Sequence, residues 1–188
     1  MSINVAMWLT WARIAMIPLV VGVFYLPDAW IGSHWKNVLA CALFTVAALT
    51  DAFDGWYARR YAMMTRLGAF LDPVADKLMV CAALIVLLAL ARVDAFVALI
   101  IIGREIAVSA LREWMAYVGA SASVAVNWLG KTKTIMQMVA IPLLLYHDPL
   151  FGLIDVSLLG TAMIYVAAAL TVYSMIYYLR MAWPHMEK

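Results

Sequence analysis

Four aspartates and a lysine lie within or beside apolar runs of this sequence: Asp51, Asp54, Asp72, Asp76 and Lys77. An ionised carboxylate near hydrocarbon costs at least about 2.5 kcal/mol even on the most lenient insertion scale, and four such groups repel one another. Something positive must hold them. Lys77 and the flanking arginines neutralise part of the charge. A divalent cation does so better, because hard cations prefer carboxylate oxygens. The absence of Cys or His beside these acids argues against Zn²⁺. Asp51 and Asp54 are three residues apart, Asp72 and Asp76 four apart, so each pair falls on one face of a helix. Small residues keep the same register. Gly55 and Ala58 follow Asp51 at one and two turns, Gly68 precedes Asp72 by one turn, and Ala75 adjoins Asp76. Such residues leave a slot where a flat or bulky ligand can approach backbone. Two other readings of the acids are a buried ion-pair network without chemistry and a pathway for cations, as in a small carrier. Neither accounts for the small residues in register.

A second set of charges is basic. Arg104 lies deep in an apolar run, where a lone charge is costly, and Arg112 follows two turns later. Lys131 and Lys133 open a further apolar run, where a helix amino terminus adds partial positive charge. Arg104 could pair with Glu105, and Lys131 could simply snorkel to an interface. Glu105, Ser109 and Arg112 share a stripe, so Glu105 could orient Arg112. His34, His147 and His185 fall in expected loops or the tail and have no expected catalytic role. Cys41 and Cys81 read as plain buried thiols, and the methionines as packing.

The elements that must position these charges are long and apolar. Of 188 residues, 68% are hydrophobic and 13% charged, with mean hydropathy +0.95. A soluble domain is nearer half apolar and a quarter charged, so lipid is the expected solvent. A spanning helix takes about 20 apolar residues. Six spans are predicted, at 7–26, 37–60, 72–91, 94–118, 131–146 and 156–181, which makes the chain an all-α, polytopic membrane protein of a single domain, 1–188. The short basic link Arg59–Leu71 returns the chain antiparallel, bringing the two acid pairs together. Pro18 and Pro142 fall inside spans, where lipid-embedded helices tolerate them. No basic stretch precedes the first apolar run, so that run is expected to persist as a helix. Arg59, Arg60, Arg66, Arg112, Lys131, Lys133, Arg180 and Lys188 gather on one side; Lys36 and Arg92 lie on the other. The first side is the expected cytoplasmic one, with both termini and the acids' end of the bundle on it. Seven tryptophans, among them Trp8, Trp11, Trp35 and Trp183, lie near span ends as interfacial anchors.

The run Asp51-Ala52-Phe53-Asp54-Gly55-Trp56-Tyr57-Ala58-Arg59, followed by Gly68, Asp72 and Asp76, resembles the complete signature of the CDP-alcohol phosphotransferase family, D-x2-D-G-x2-A-R-x8-G-x3-D-x3-D. Every fixed position is matched. Leu9-Thr10-Trp11-Ala12-Arg13 resembles the family's amino-terminal L-T-x-x-R. Gly103-Arg104-Glu105-Ile106, Ser109-Ala110-Leu111-Arg112-Glu113-Trp114 and Gly130-Lys131-Thr132-Lys133-Thr134 with Gln137 resemble the bacterial branch whose acceptor is sn-glycerol 3-phosphate. Of the family's N-I-P-N only Asn4 is present, in Asn4-Val5-Ala6-Met7, and it alone is carried over.

The resemblance implies transfer of the phosphatidyl group from CDP-diacylglycerol to sn-glycerol 3-phosphate, releasing CMP. Serine, inositol phosphate or phosphatidylglycerol is the alternative acceptor. It implies two divalent ions, Mg²⁺ or Mn²⁺, with Asp51, Asp54, Asp72 and Asp76 around them and Asp76 as the base that takes the acceptor's proton. Two such ions can clamp both attacking and leaving oxygens of a displacement. Gly55, Ala58 and Gly68 then form the cytidine slot, Arg59 and Lys77 meet the diphosphate or orient the carboxylates, and Asn4 joins the CDP-diacylglycerol set. Arg112, Lys131 and Lys133, with Arg104 contributing or supporting, bind the glycerol phosphate. A homodimer in the bacterial inner (cytoplasmic) membrane, surrounded by membrane lipids and without a nucleic-acid partner, is expected.

Overall fold

A computed structural model of the protein describes residues 5–61, 66–119, 128–150 and 154–186. These form six helices: α1 (Val5–Gly22), α2 (Ser33–Tyr61), α3 (Arg66–Ala89), α4 (Ala95–Tyr117), α5 (Trp128–Tyr146) and α6 (Val156–Met186). A 3-10 turn, Val23–Tyr25, extends α1. Among the described residues there is no β-strand, only an isolated bridge between Leu150 and Ile154. α1 packs on α2 and α3, α2 also on α5, α4 on α6, and α5 most extensively on α6. The main core is an apolar seam that includes Phe44, Leu84, Leu87, Ile101, Ile141, Leu144 and Ile164, with a smaller cluster of α4 and α6 residues beside it.

Three expected boundaries shift. The link Arg59–Leu71 is mostly helical: α2 runs on to Tyr61 and α3 begins at Arg66, leaving 62–65 outside the described residues. Gly68 and Asp72 are therefore in one helix. At its other end α2 starts four residues early, so His34 is in its first turn rather than in a loop. Polar Lys36 and Asn37 mark an edge in hydropathy, yet both are buried, because each finds partners inside the bundle. α6 continues to Met186 and takes in His185, expected in the tail.

Those partners build a polar clamp at the end of the bundle remote from the acids. Lys36 Nζ donates to Leu26 O at 2.5 Å and to Asp28 Oδ1 at 2.7 Å. Arg92, in the turn between α3 and α4, donates to the Leu144 and Leu145 carbonyls at 3.2 and 2.8 Å, capping α5, and to Asn37 Oδ1 at 2.8 Å. Asn37 and His34 both reach Asp148 Oδ2, at 3.2 and 2.8 Å. The carbonyls at the ends of α5 and of the turn after α1 are thus met by side chains.

Several charges are buried in the bundle while many large apolar side chains face outward. Arg13 and Lys133 are 1% and 2% exposed, while Leu49 and Ile106 are 65% and 63% exposed. In water this arrangement would forfeit apolar burial at about 25 cal/mol per Å². It is stable where the outer solvent is hydrocarbon. Two of the described helical stretches, Trp8–Tyr25 and Val156–Pro184, are long and apolar enough by themselves to cross a membrane. α3 and α4 carry Asp72, Asp76, Lys77, Arg104, Glu105 and Arg112 in their interiors. The tryptophans expected as anchors are exposed where described, as at Trp8, Trp30, Trp35 and Trp183.

Of the glycines whose surroundings are described, Gly160 of α6 is the one with a neighbouring helix against it. A Cβ there would lie 2.9 Å from Leu144 Cγ and 3.2 Å from Leu143 Cβ. Leu144 is buried and cannot swing away cheaply. We predict that Gly160→Ala destabilises the α5–α6 contact by about 1–3 kcal/mol, read as a lower thermal midpoint in detergent. An unchanged midpoint would contradict this close packing.

Candidate active site

Helix α1 orients the acids. Thr10 and Arg13, three residues apart, project from one face of it. Thr10 Oγ1 donates to Asp72 Oδ1 at 2.5 Å, and Arg13 Nη1 lies 2.6 Å from Asp51 Oδ1. Arg13 is fully buried, so its charge is matched in a medium where an unmatched one would be prohibitive. Asp51 from α2 and Asp76 from α3 border the same small cavity, with Arg13 and Met138. Asp76 is also within electrostatic reach of Lys77 and Glu105. The structure therefore brings together Asp51, Asp76 and Lys77, and ties Asp72 to the same end through α1. Gly68 lies one turn before Asp72 in α3.

Asp54, Gly55, Ala58 and Arg59 belong to α2 by backbone, but their side-chain surroundings lie outside what is described, as do those of Lys131; Asn4 lies outside the described residues altogether. Among the described residues no three His, Cys, Asp or Glu side chains converge closely enough to hold an ion. The donors that do meet, Asp51 and Asp76, are carboxylate oxygens. That set suits a hard cation such as Mg²⁺ or Mn²⁺.

The basic residues gather beside the acids. Glu105 Oε1 accepts from Lys133 Nζ and, at 3.2 Å, from Arg104 Nη1. Arg104 Nη2 is 3.4 Å from Ser174 Oγ of α6. Arg104 and Arg112 both lie over the Tyr178 ring, at 5.7 and 5.3 Å from its centroid, and Arg112 Nη2 donates to Tyr178 Oη at 3.2 Å. Tyr178 is itself buried in a small cluster with Val108, Leu111, Met115 and Ala182.

Glu105 does not orient Arg112, as the shared stripe allowed. Ser109 turns back to the Glu105 carbonyl at 2.6 Å, and the Glu105 carboxylate faces the cations of its neighbour in sequence and of α5. Arg104 does pair with Glu105, the alternative raised for it, while still belonging to the cluster. The group holds three cations, Arg104, Arg112 and Lys133, against one carboxylate. Arg104 Nε and Arg112 Nε are buried without hydrogen-bond partners. An excess of buried positive charge with unmet N–H groups is chemically suited to an anion.

Ser174 and Tyr178 did not stand out in the sequence. Their only signal was two polar groups one turn apart within an apolar helix. Thr10 was visible only as part of a motif.

A helical bundle that sets carboxylates beside a cluster of cations suits a catalyst of phosphoryl-group chemistry in or near lipid. The family model for CDP-alcohol phosphatidyltransferase matches residues 3–173, and the chain belongs to that family. It is 50% identical over 183 residues to the CDP-diacylglycerol–glycerol-3-phosphate 3-phosphatidyltransferase of Sodalis glossinidius (strain morsitans), covering 95% of this chain and 94% of that one. Enzymes of the same name are similar in Salmonella choleraesuis (strain SC-B67), 45% identical with 97% and 96% covered, and in Yersinia pestis (strain Pestoides F), 46% identical with 97% of each covered.

Proposed function

We propose that this protein transfers the phosphatidyl group of CDP-diacylglycerol to sn-glycerol 3-phosphate, giving phosphatidylglycerophosphate and CMP. The observation that carries the choice of acceptor is the cluster of Arg104, Arg112 and Lys133 next to the acids. A phosphorylated alcohol supplies a phosphate dianion with several acceptor oxygens for this cluster, which serine, with one carboxylate beside its own ammonium, does not; among phosphorylated acceptors the names of the relatives favour glycerol 3-phosphate. Relatives that bear the name of this activity match nearly the full chain.

The acceptor's primary hydroxyl attacks the phosphorus that carries the diacylglycerol. A new phosphorus–oxygen bond forms, the bond to the CMP oxygen breaks, and the hydroxyl proton passes to Asp76. Asp51, Asp54 and Asp72, with Asp76, would hold Mg²⁺ or Mn²⁺, which when bound neutralises the diphosphate. Thr10 and Arg13 keep Asp72 and Asp51 in fixed orientations. Gly55, Ala58 and Gly68 form the nucleotide slot. Arg59 and Lys77 meet the diphosphate, and Asn4 completes the donor site. Arg112, Lys131 and Lys133 bind the acceptor phosphate, and Arg104 supports them through Glu105 and Tyr178. The Lys133 ammonium has three donors and gives one to Glu105, leaving others for phosphate.

The six helices serve as six spans in the bacterial inner membrane, with both termini and the acids facing the cytoplasm. α4, at 23 residues, is about 35 Å long, enough for a hydrocarbon core of about 30 Å. The diacyl chains stay in lipid, because extracting them costs about 0.8 kcal/mol per CH₂. The working unit is a homodimer.

The test is an acceptor screen with purified protein, Mg²⁺ and labelled CDP-diacylglycerol. Glycerol 3-phosphate should release CMP; serine, inositol phosphate and phosphatidylglycerol should not. Turnover with one of those and not with glycerol 3-phosphate would overturn the assignment within the family.

A further inference from the structure

Gln137 is a buried side chain the reaction scheme leaves unused. It lies on the inward stripe of α5, one turn beyond Lys133, and is 3% exposed. Its amide Nε2 has no hydrogen-bond partner. The buried hydroxyls of the neighbouring helix are bonded: Thr171 donates to Ala167 O and Ser174 to Thr171 O. An unmet buried donor costs about 1–3 kcal/mol, which a packing role does not repay.

The position of Gln137 indicates what its amide is for. On one side along the helix stands Lys133, paired with Glu105 in the cation-rich cluster. The next residue, Met138, borders the cavity of Asp51 and Asp76. Along α5, Gln137 therefore follows the proposed phosphate ligand by one turn and directly precedes a residue that borders the cavity of the proposed base. Four residues of helix rise by about 6 Å, comparable to the reach of a glycerol backbone from its phosphate. Resting on the acceptor reading given above, we propose that the Gln137 amide donates to the secondary hydroxyl of the acceptor and makes it the specificity-determining residue for a three-carbon diol phosphate. A phosphate ester alone satisfies Lys133 and the arginines. Only an acceptor with a hydroxyl at its middle carbon also satisfies Gln137.

The experiment compares kcat/KM for glycerol 3-phosphate and for 1,3-propanediol phosphate, which lacks that hydroxyl. It uses the full chain in lipid–detergent micelles with Mg²⁺ and CDP-diacylglycerol. The wild type should prefer glycerol 3-phosphate by about 10- to 100-fold. In Gln137→Met, of similar volume, the preference should fall to about threefold or less, through loss on glycerol 3-phosphate, with KM for CDP-diacylglycerol unchanged. Gln137→Leu serves for the same comparison if the Met variant does not survive extraction. A purely structural role would weaken both acceptors together and keep their ratio, and that result would overturn the proposal, as would a wild type indifferent to the missing hydroxyl. A wild type that turns over neither phosphorylated acceptor but uses another alcohol instead overturns the acceptor reading itself, a distinguishable failure.

Discussion

Asp76→Asn should lower CMP release by about 10²- to 10⁴-fold, the range a positioned general base contributes, while leaving the protein folded. The substitution keeps the shape of the side chain and removes its ability to take a proton. Asp76 borders the cavity it shares with Asp51 and Arg13, and Ala75, Met79 and Val80 beside it are buried and apolar. Few other groups could accept the acceptor's proton there. Asp51 is already paired to Arg13 at 2.6 Å and Asp72 accepts from Thr10. A second measurement separates base from ligand. Asp76→Asn should still bind CDP-diacylglycerol when Mg²⁺ is present, whereas Asp51→Asn should lose much of that metal-dependent binding. Full turnover by Asp76→Asn would refute the role given to it.

The second large effect concerns stability. Glu105→Gln removes the one carboxylate of the cation cluster and leaves Lys133 and Arg104 buried without a counter-charge. Breaking a buried pair in this way costs about 3–5 kcal/mol, so the thermal midpoint in detergent should fall sharply. Lys133 is 2% exposed and has little access to water in compensation. The double variant Glu105→Gln, Lys133→Met removes both charges of the pair and should recover part of the loss, since neighbouring substitutions of this kind are not additive. A single variant as stable as the wild type would mean that the pair does not form.

Much of this arrangement could be read from the residues because lipid makes charge conspicuous. Asp51, Asp72, Asp76, Arg104 and Lys133 stand out in apolar runs, and the spacing of the acids places them on helix faces before any fold is known. Helix number and order followed from the same contrast. Boundaries did not, because hydropathy marks where polar residues begin, not where backbone hydrogen bonds stop. Lys36 and Asn37 look like a span edge and yet sit inside α2, since Asp28, Arg92 and Asp148 reach them from other parts of the chain. Cross-helix partners were equally hidden. Nothing in the spacing of Glu105 says that Lys133, 28 residues on, outcompetes Arg112 for it. Tyr178 is an ordinary helical tyrosine until two guanidinium groups are found over its ring.

The immediate adjacency of Arg104 and Glu105 also bears on how the chain is made. Helices leave the ribosome in order, so α4 emerges ahead of α5 and α6. Lys133, Ser174 and Tyr178, which surround Arg104 in the finished protein, follow it in the chain and are not yet packed against it at that moment. A solitary guanidinium in nascent α4 would oppose partition into the bilayer. Glu105, 3.2 Å from it in the finished protein, is delivered in the next peptide bond. The helix thus carries its own counterion through biogenesis, and Lys133 claims a share of that carboxylate only when the following hairpin arrives.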